Sequence, residues 1–186
     1  IDYIKFRIRK FIKPLKLKNR GKSFYIGESN MDLNNHKQLH FELVNHENRK
    51  VVENLAVFSE QDTFIESVSE CLQEAEELEL WHPVSIYDSD TLVGFAMYGY
   101  FPEPAPGKLW LDRLLIDKKY QGKGYGKQAV LALLERLQAE YVSDKVYLSV
   151  YENNLHAIRL YQQIGFCFNG EYDTKGEYIM EYYFKR

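Results

Sequence analysis

The sequence predicts a single mixed α/β domain built around one sheet, and three observations predict it. Short apolar strands and helical repeats succeed one another from residue 38 to the C-terminus. At 186 residues and 45% hydrophobic, the chain has material for a real core. A glycine turn, Gln121-Gly-Lys-Gly-Tyr-Gly126, joins a continuously apolar strand to an amphipathic helix. No apolar run approaches the roughly 18 residues of a membrane span.

Taken in order, "QLHFELV" alternates and reads as a first strand. Val52, Leu55 and Ala56, then Phe64, Val68, Cys71, Leu72 and Ala75, fall at helical spacing and predict two helices. "VSIYD" and "TLVGFAMYGYF" are strands flanking the turn residues Asp88-Ser-Asp90. "FPEPAPGK" holds three of the five prolines and must be a loop. "LWLDRLLI" is apolar enough to be buried on both faces. Val130, Leu133, Leu134 and Leu137 mark the helix after the glycines. "VYLSVY", the helix "NLHAIRLYQQI", and the strands "FCFNGEY" and "YIMEYYF" complete the domain.

The net charge of −3 conceals a split. Residues 1–30 carry nine Lys and Arg against Asp2 and Glu28, whereas the remainder carries 15 against 25 acidic residues. An acidic body attracts cations and repels nucleic acid. Residues 1–30 form a basic extension ahead of a domain at 31–186. Ile1 is no initiator and Met31 can be, so the preferred reading is upstream or non-native sequence. The alternative is a membrane- or RNA-binding arm, since basic and apolar residues interleave. Cys71 and Cys167 lie in apolar settings without metal-type spacing, and no signal peptide is visible. They read as buried free thiols in a reducing cytoplasm.

The glycine turn is no P-loop, because Gly126-Lys127 is followed by Gln128 rather than Ser or Thr. It also reads Gly-x-Gly-x-Gly, not the dinucleotide pattern Gly-x-Gly-x-x-Gly. It still points to an anion, because backbone N–H groups opening a helix carry a partial positive charge.

Residues 108–166 resemble the Gcn5-related N-acetyltransferase (GNAT) superfamily. The first signature, Arg/Gln-x-x-Gly-x-Gly/Ala between strand and helix, is matched by Gln121, Gly124 and Gly126. The second, Asn-x-x-Ala-x-x-Leu-Tyr-x-x-x-Gly-Phe, is matched by Asn154, Ala157, Leu160, Tyr161, Gly165 and Phe166. More narrowly, "PVSIYDSDTLVGFAMYGYFPEP", "WLDRLLIDKKYQGKGYGK" and "YENNLHAIRLYQQIGFCFNGE" look like bacterial spermine/spermidine (diamine) acetyltransferases. The resemblance implies a mixed, mostly antiparallel sheet of six to seven strands flanked by about four helices. It also implies acetyl-CoA as cosubstrate, with no metal. The N–H groups of Gly122, Lys123, Gly124, Tyr125, Gly126 and Lys127 would cradle the pyrophosphate, with the Lys123 and Lys127 charges assisting. Glycine permits the close approach. The backbone of Leu114, Leu115 and Ile116 would run beside the pantetheine arm and pair with its amides, and Asn154, with Ala157 at the head of the next helix, would hydrogen-bond the pantetheine or nearby backbone. A helix cap explains Asn154 almost as well.

Acetyl transfer to an amine needs a neutral nitrogen, a polarised thioester and a proton for the leaving thiolate. By resemblance, Tyr161 is the acid facing the CoA sulfur, and a phenol is protonated at neutral pH. Asp112 stands where the polyamine enzymes carry a carboxylate, usually described as glutamate, acting as base through water. A pairing of Asp112 with Arg113 is the competing reading, although neighbours on a strand point to opposite faces. Glu66, Glu70, Glu74 and Glu77 recur on one face of the second helix, either as a solvated face or as an anionic wall for a polycation. Glu66 and Glu70, with Asp112, are the expected substrate carboxylates.

The expected activity is therefore acetyl transfer to a primary amine of a polyamine by direct attack. The alternatives are another amine (a protein N-terminus, lysine or aminoglycoside) or a non-catalytic acyl-CoA sensor. No nucleic-acid or membrane partner is expected. A homodimer is possible by analogy, with the aromatic "YIMEYYF" as a strand that could pair.

Overall fold

The computed structural model describes residues 39–185. The basic extension at 1–30 lies outside the described residues. The elements, in order, are β1 (Leu39–Leu43), α1 (Arg49–Val52), a 3-10 turn at Ser59–Gln61, α2 (Val68–Glu77), β2 (Trp81–Asp88), β3 (Thr91–Phe101) and β4 (Lys108–Ile116). There follow α3 (Tyr125–Glu140), β5 (Lys145–Val150), α4 (Leu155–Ile164), β6 (Cys167–Tyr172) and β7 (Tyr178–Tyr183). The strands make one seven-stranded sheet in the order β1-β2-β3-β4-β5-β7-β6. Every pairing is antiparallel except that of β4 with β5.

Parallel neighbours need a crossover, and α3 supplies it. Its Ala129, Val130, Leu133, Leu134 and Leu137 are buried against Val84, Ile86, Ala96, Tyr98, Leu109 and Leu111 of the sheet. β3 is buried without interruption from Val93 to Gly99, so both of its faces are covered. Val52 of α1 and Val68, Cys71 and Leu72 of α2 are buried by packing of these helices on β3 and β2.

Two irregularities in the sheet position everything that follows. β4 and β5 pair only at Leu109 with Val146 and Trp110 with Tyr147. Beyond those residues the strands separate, and the mixed sheet opens in its middle. In β4, Arg113 faces Met97 while Leu111 faces Tyr98, which leaves Asp112 as the extra residue of a β-bulge. The bulge reverses the parity of the strand. Arg113 therefore does not follow Leu109 and Leu111 towards α3 but shares the opposite face with Met97.

Four sequence readings need correction. The helical spacing through Leu55, Ala56 and Phe64 does not make a helix. Ala56 instead ties to the end of β4, donating its N–H to Asp117 Oδ2 (3.2 Å) and accepting from the N–H of Lys118 (2.8 Å). Strand β2 begins at Trp81 and contains Pro83. The carbonyl of Pro83 accepts from Val44 N–H, so its missing donor lies on the side where the β1 ladder has just ended at Val84. Cys167 is exposed, because it begins the edge strand β6, whereas Cys71 is buried as expected. Strand β7 pairs with both β5 and β6 and has no edge to offer.

Candidate active site

The gap between β4 and β5 opens into a cavity of about 910 Å³. Leu114, Leu115 and Ile116 form one wall, and Ser149, Val150 and Tyr151 another. The strand amides that face the gap have lost their ladder partners, so an extended ligand with amide groups can pair with them.

The glycine turn closes one end. Gly122 and Gly124 have φ of +73° and +82°, a region open to glycine but strained for other residues. A Cβ at either would meet nothing within 4 Å, so the backbone faces open space. Gly124 is the N-cap of α3 and supplies no side-chain cap, and no acidic residue occupies the first turn. The first N–H groups of a 16-residue helix are thus presented bare to the cavity. Gly126 is different: its Cβ would touch Leu160 Cδ2 at 3.5 Å, so it serves the approach of α3 to α4.

The neighbouring side chains hold this turn rather than fill it. Gln121 donates to the carbonyl of Ile116 (2.9 Å) and exchanges amide hydrogen bonds with Gln61 (2.8 and 3.1 Å). This bolts the turn to β4 and to the 3-10 segment. Tyr125 donates to Asp88 Oδ2 at 2.6 Å, and its phenol is pushed up to about 12, first by that hydrogen bond. Lys127 lines the cavity. Lys123 does not: its ammonium bonds the Lys119 carbonyl (2.8 Å) and lies over the Tyr120 ring.

On the α4 side, Asn154, Ala157 and Tyr161 line the cavity together. Asn154 is the N-cap, its Oδ1 accepting from Ala157 N–H at 3.2 Å, so the cap expected as an alternative is present. Tyr161 packs edge-on to Phe166, and burial pushes its phenol up to about 12. It keeps its proton at neutral pH.

At the other end stands a cluster of charges. Arg113, 8% exposed, pairs with its neighbour Asp112, with Glu66 Oε2 (2.9 Å) and with Glu74 Oε2 (3.4 Å). Neighbours on a regular strand do not meet; here the bulge puts both on one face. The pairing of Asp112 with Arg113 is therefore real, but buried in the cavity wall rather than on the surface. Burial raises the Asp112 carboxyl; Arg113 opposes this, Glu74 and Glu66 add to it, and the value reaches about 6. Burial likewise pushes Glu66 up, but Arg113 and Lys175 more than offset it and hold Glu66 below its ordinary range.

The four glutamates do not share one face. Glu66 precedes α2 and lines the cavity, while Glu74 turns inward to Arg113. Glu70 forms a capping box with Ser67, whose N–H and hydroxyl donate to it at 2.9 and 2.6 Å. It lies not on the large cavity but on an adjoining one of about 420 Å³, which also contains Glu66, Phe64 and Tyr151. Sequence reasoning missed Glu177, a buried carboxylate on the large cavity that accepts from Ser149 Oγ at 2.9 Å and is raised by burial. Nothing in the turn "DTKGEY" marks it. Arg113 had a visible signal, a cation inside an otherwise apolar strand.

The site thus combines an anion cradle, a cleft beside unpaired strand amides, a protonated phenol and a carboxylate poised near neutrality. Such a site fits a transferase that moves a group from a phosphorylated carrier to a cationic acceptor. The family model described as Acetyltransferase (GNAT) family matches residues 45–166, and the chain belongs to that family. It is 47% identical over 146 residues to the spermine/spermidine N(1)-acetyltransferase of Bacillus subtilis (strain 168), covering 76% of this chain and 96% of the relative. Among solved structures, an aminoglycoside acetyltransferase in complex with coenzyme A superposes with a TM-score of 0.67 at 21% identity, covering 78% of this chain and 95% of the other. Spermidine N-acetyltransferase from Vibrio cholerae, in complex with CoA and spermine, gives 0.61 at 17% identity, covering 80% and 96%. At those identities the structures speak for the fold, a mixed seven-stranded sheet with helices on both sides.

Proposed function

We propose that this chain is an acetyl-CoA-dependent N-acetyltransferase acting on a primary amine of spermine or spermidine. One observation carries the reading: a single cavity joins a side-chain-free anion cradle to a buried carboxylate cluster. The relationship to the Bacillus subtilis enzyme supports the same substrate class.

Acetyl-CoA, as cosubstrate, supplies a thioester whose acyl carbon accepts the amine. The N–H groups of residues 122–127 hold its phosphates, Lys127 adds charge, and the Leu114–Ile116 backbone with the Asn154–Ala157 helix head flanks its arm. Asp112 takes the proton of the bound ammonium and keeps it on its carboxyl. The freed lone pair forms the C–N bond. As the C–S bond breaks, Tyr161 gives its phenolic proton to the departing sulfur, and the nitrogen's second proton passes to the phenolate, which leaves a neutral amide and a restored Tyr161. A primary amine has a pKa of about 10. Transfer to a carboxyl at about 6 is uphill by about 5 kcal/mol, against about 8 for an ordinary aspartate. Burial of Asp112 therefore lowers the proton-transfer cost by several kcal/mol. Glu66, Glu70 and Glu177 hold ammonium groups that are not reacting. Carboxylates beside the reacting nitrogen would keep it charged, so these act on the distal ones.

Cytoplasmic location, the absence of nucleic-acid partners and a homodimer belong to the same proposal. The acidic domain disfavours nucleic acid. The edge strand β6, with Phe168 and Tyr172 exposed, is an edge that a second copy can pair with. A screen of acetyl-CoA turnover by free-thiol release tests the function. Spermine and spermidine should outpace monoamines, lysine peptides and aminoglycosides; equal or better rates on any of these would move the substrate assignment to that class.

A further inference from the structure

Lys175, on the turn between β6 and β7, crosses to Glu66 on the loop before α2, a contact between residues 109 apart in the chain. Its charge also acts on Asp112 and Glu177 and favours their ionised forms. A cation of the protein's own thus stands among the carboxylates assigned above to the substrate. The turn does not depend on that ammonium. Asp173 Oδ1 accepts from the N–H groups of Lys175 and Glu177 (2.8 Å each), and Gly176 takes the positive φ of +82°. The Lys175 and Glu66 side chains remain 38% and 36% exposed, so water and a competing cation can reach the pair.

We propose that Lys175 tempers the enzyme's preference for polyamines: its ammonium holds the Glu66 carboxylate that a distal ammonium of the polyamine takes over on binding. The inference rests on the polyamine reading and deepens it. A polyamine replaces the Lys175–Glu66 pair with one of its own, so the exchange is nearly neutral. A monoamine has its single nitrogen committed to the reaction and gains nothing at Glu66. Lys175 therefore weakens polyamine binding, keeps Glu66 from holding a stray cation, and makes the product easier to release.

The test is steady-state acetylation of spermine and of butylamine by the 186-residue chain, its Lys175→Met variant and its Lys175→Arg variant. Lys175→Met should lower KM for spermine about two- to five-fold at low salt, the scale of a partly exposed ion pair, with no matching drop for butylamine. The difference should shrink as salt rises, and Lys175→Arg should remain close to the parent. A spermine KM that is unchanged or raised in Lys175→Met, or an equal fall for butylamine, overturns the proposal. A merely structural contact would appear as a lower kcat and an earlier thermal unfolding, which also overturns it. If the parent chain acetylates butylamine but not spermine, the polyamine reading falls, and this inference with it. If it acetylates spermine but is indifferent to Lys175→Met, only this inference falls.

Discussion

Burial of Asp112 sets the pH range in which its base form exists. Its carboxyl lies at about 6, so the ionised form is present above that value and is lost as the pH falls through it. The pH profile of kcat/KM should therefore carry an acidic limb near 6, and Asp112→Asn should remove it. That variant should also be weakest at neutral pH and recover partly in alkali, where more of the amine is already neutral. A limb that survives in Asp112→Asn would assign it to another group. Tyr161→Phe removes only a hydroxyl from the cavity wall. It should lower kcat by about 10- to 10⁴-fold while coenzyme A affinity, followed by calorimetry, changes little. Full activity would make Tyr161 a packing partner of Phe166 and nothing more.

Among the elements, the glycine turn gives the sharpest contrast. Gly124→Val places a branched side chain in the open space of the cradle and forces φ of +82° on a residue that resists it. The variant should raise KM for acetyl-CoA strongly and cost about 1–3 kcal/mol of stability in denaturant unfolding. Gly126→Ala, whose methyl would make an ordinary contact with Leu160, should have a much smaller effect on both. This turn was legible in the sequence because three glycines between an apolar strand and an amphipathic helix have few other uses. Most strands were legible too, since alternation and turn residues bound them. The bulge at Asp112 was not, because an extra residue in a ladder is defined by its partner strand, and the sequence of β4 alone reads as one uninterrupted apolar strand. The link from Leu55 to Phe64 was misread for a related reason. Its helical spacing is overruled by Asp117 and Lys118, which are far away in sequence. Ion pairs across such distances, as from Lys175 to Glu66, leave no local pattern to read.

For the molecule as a whole, charge and division of the chain make separate claims. The family model begins at residue 45, and the 146 residues matched to the Bacillus subtilis enzyme span 96% of that relative. A chain beginning at Met31 is expected to fold and to acetylate as the longer one does; circular dichroism and thiol release check this, and loss of either would make residues 1–30 part of the working domain. The opening of the sheet between β4 and β5 is proposed to bring the carrier's phosphates and the polyamine's ammonium groups to opposite ends of one cavity. A crystal structure of the full chain with coenzyme A and spermine addresses that arrangement directly. It should show the pyrophosphate against the N–H groups of residues 122–127, the sulfur beside Tyr161, and a spermine nitrogen at Asp112 with another at Glu66. Spermine bound on the outer surface away from Asp112, or coenzyme A away from the glycine turn, would contradict it.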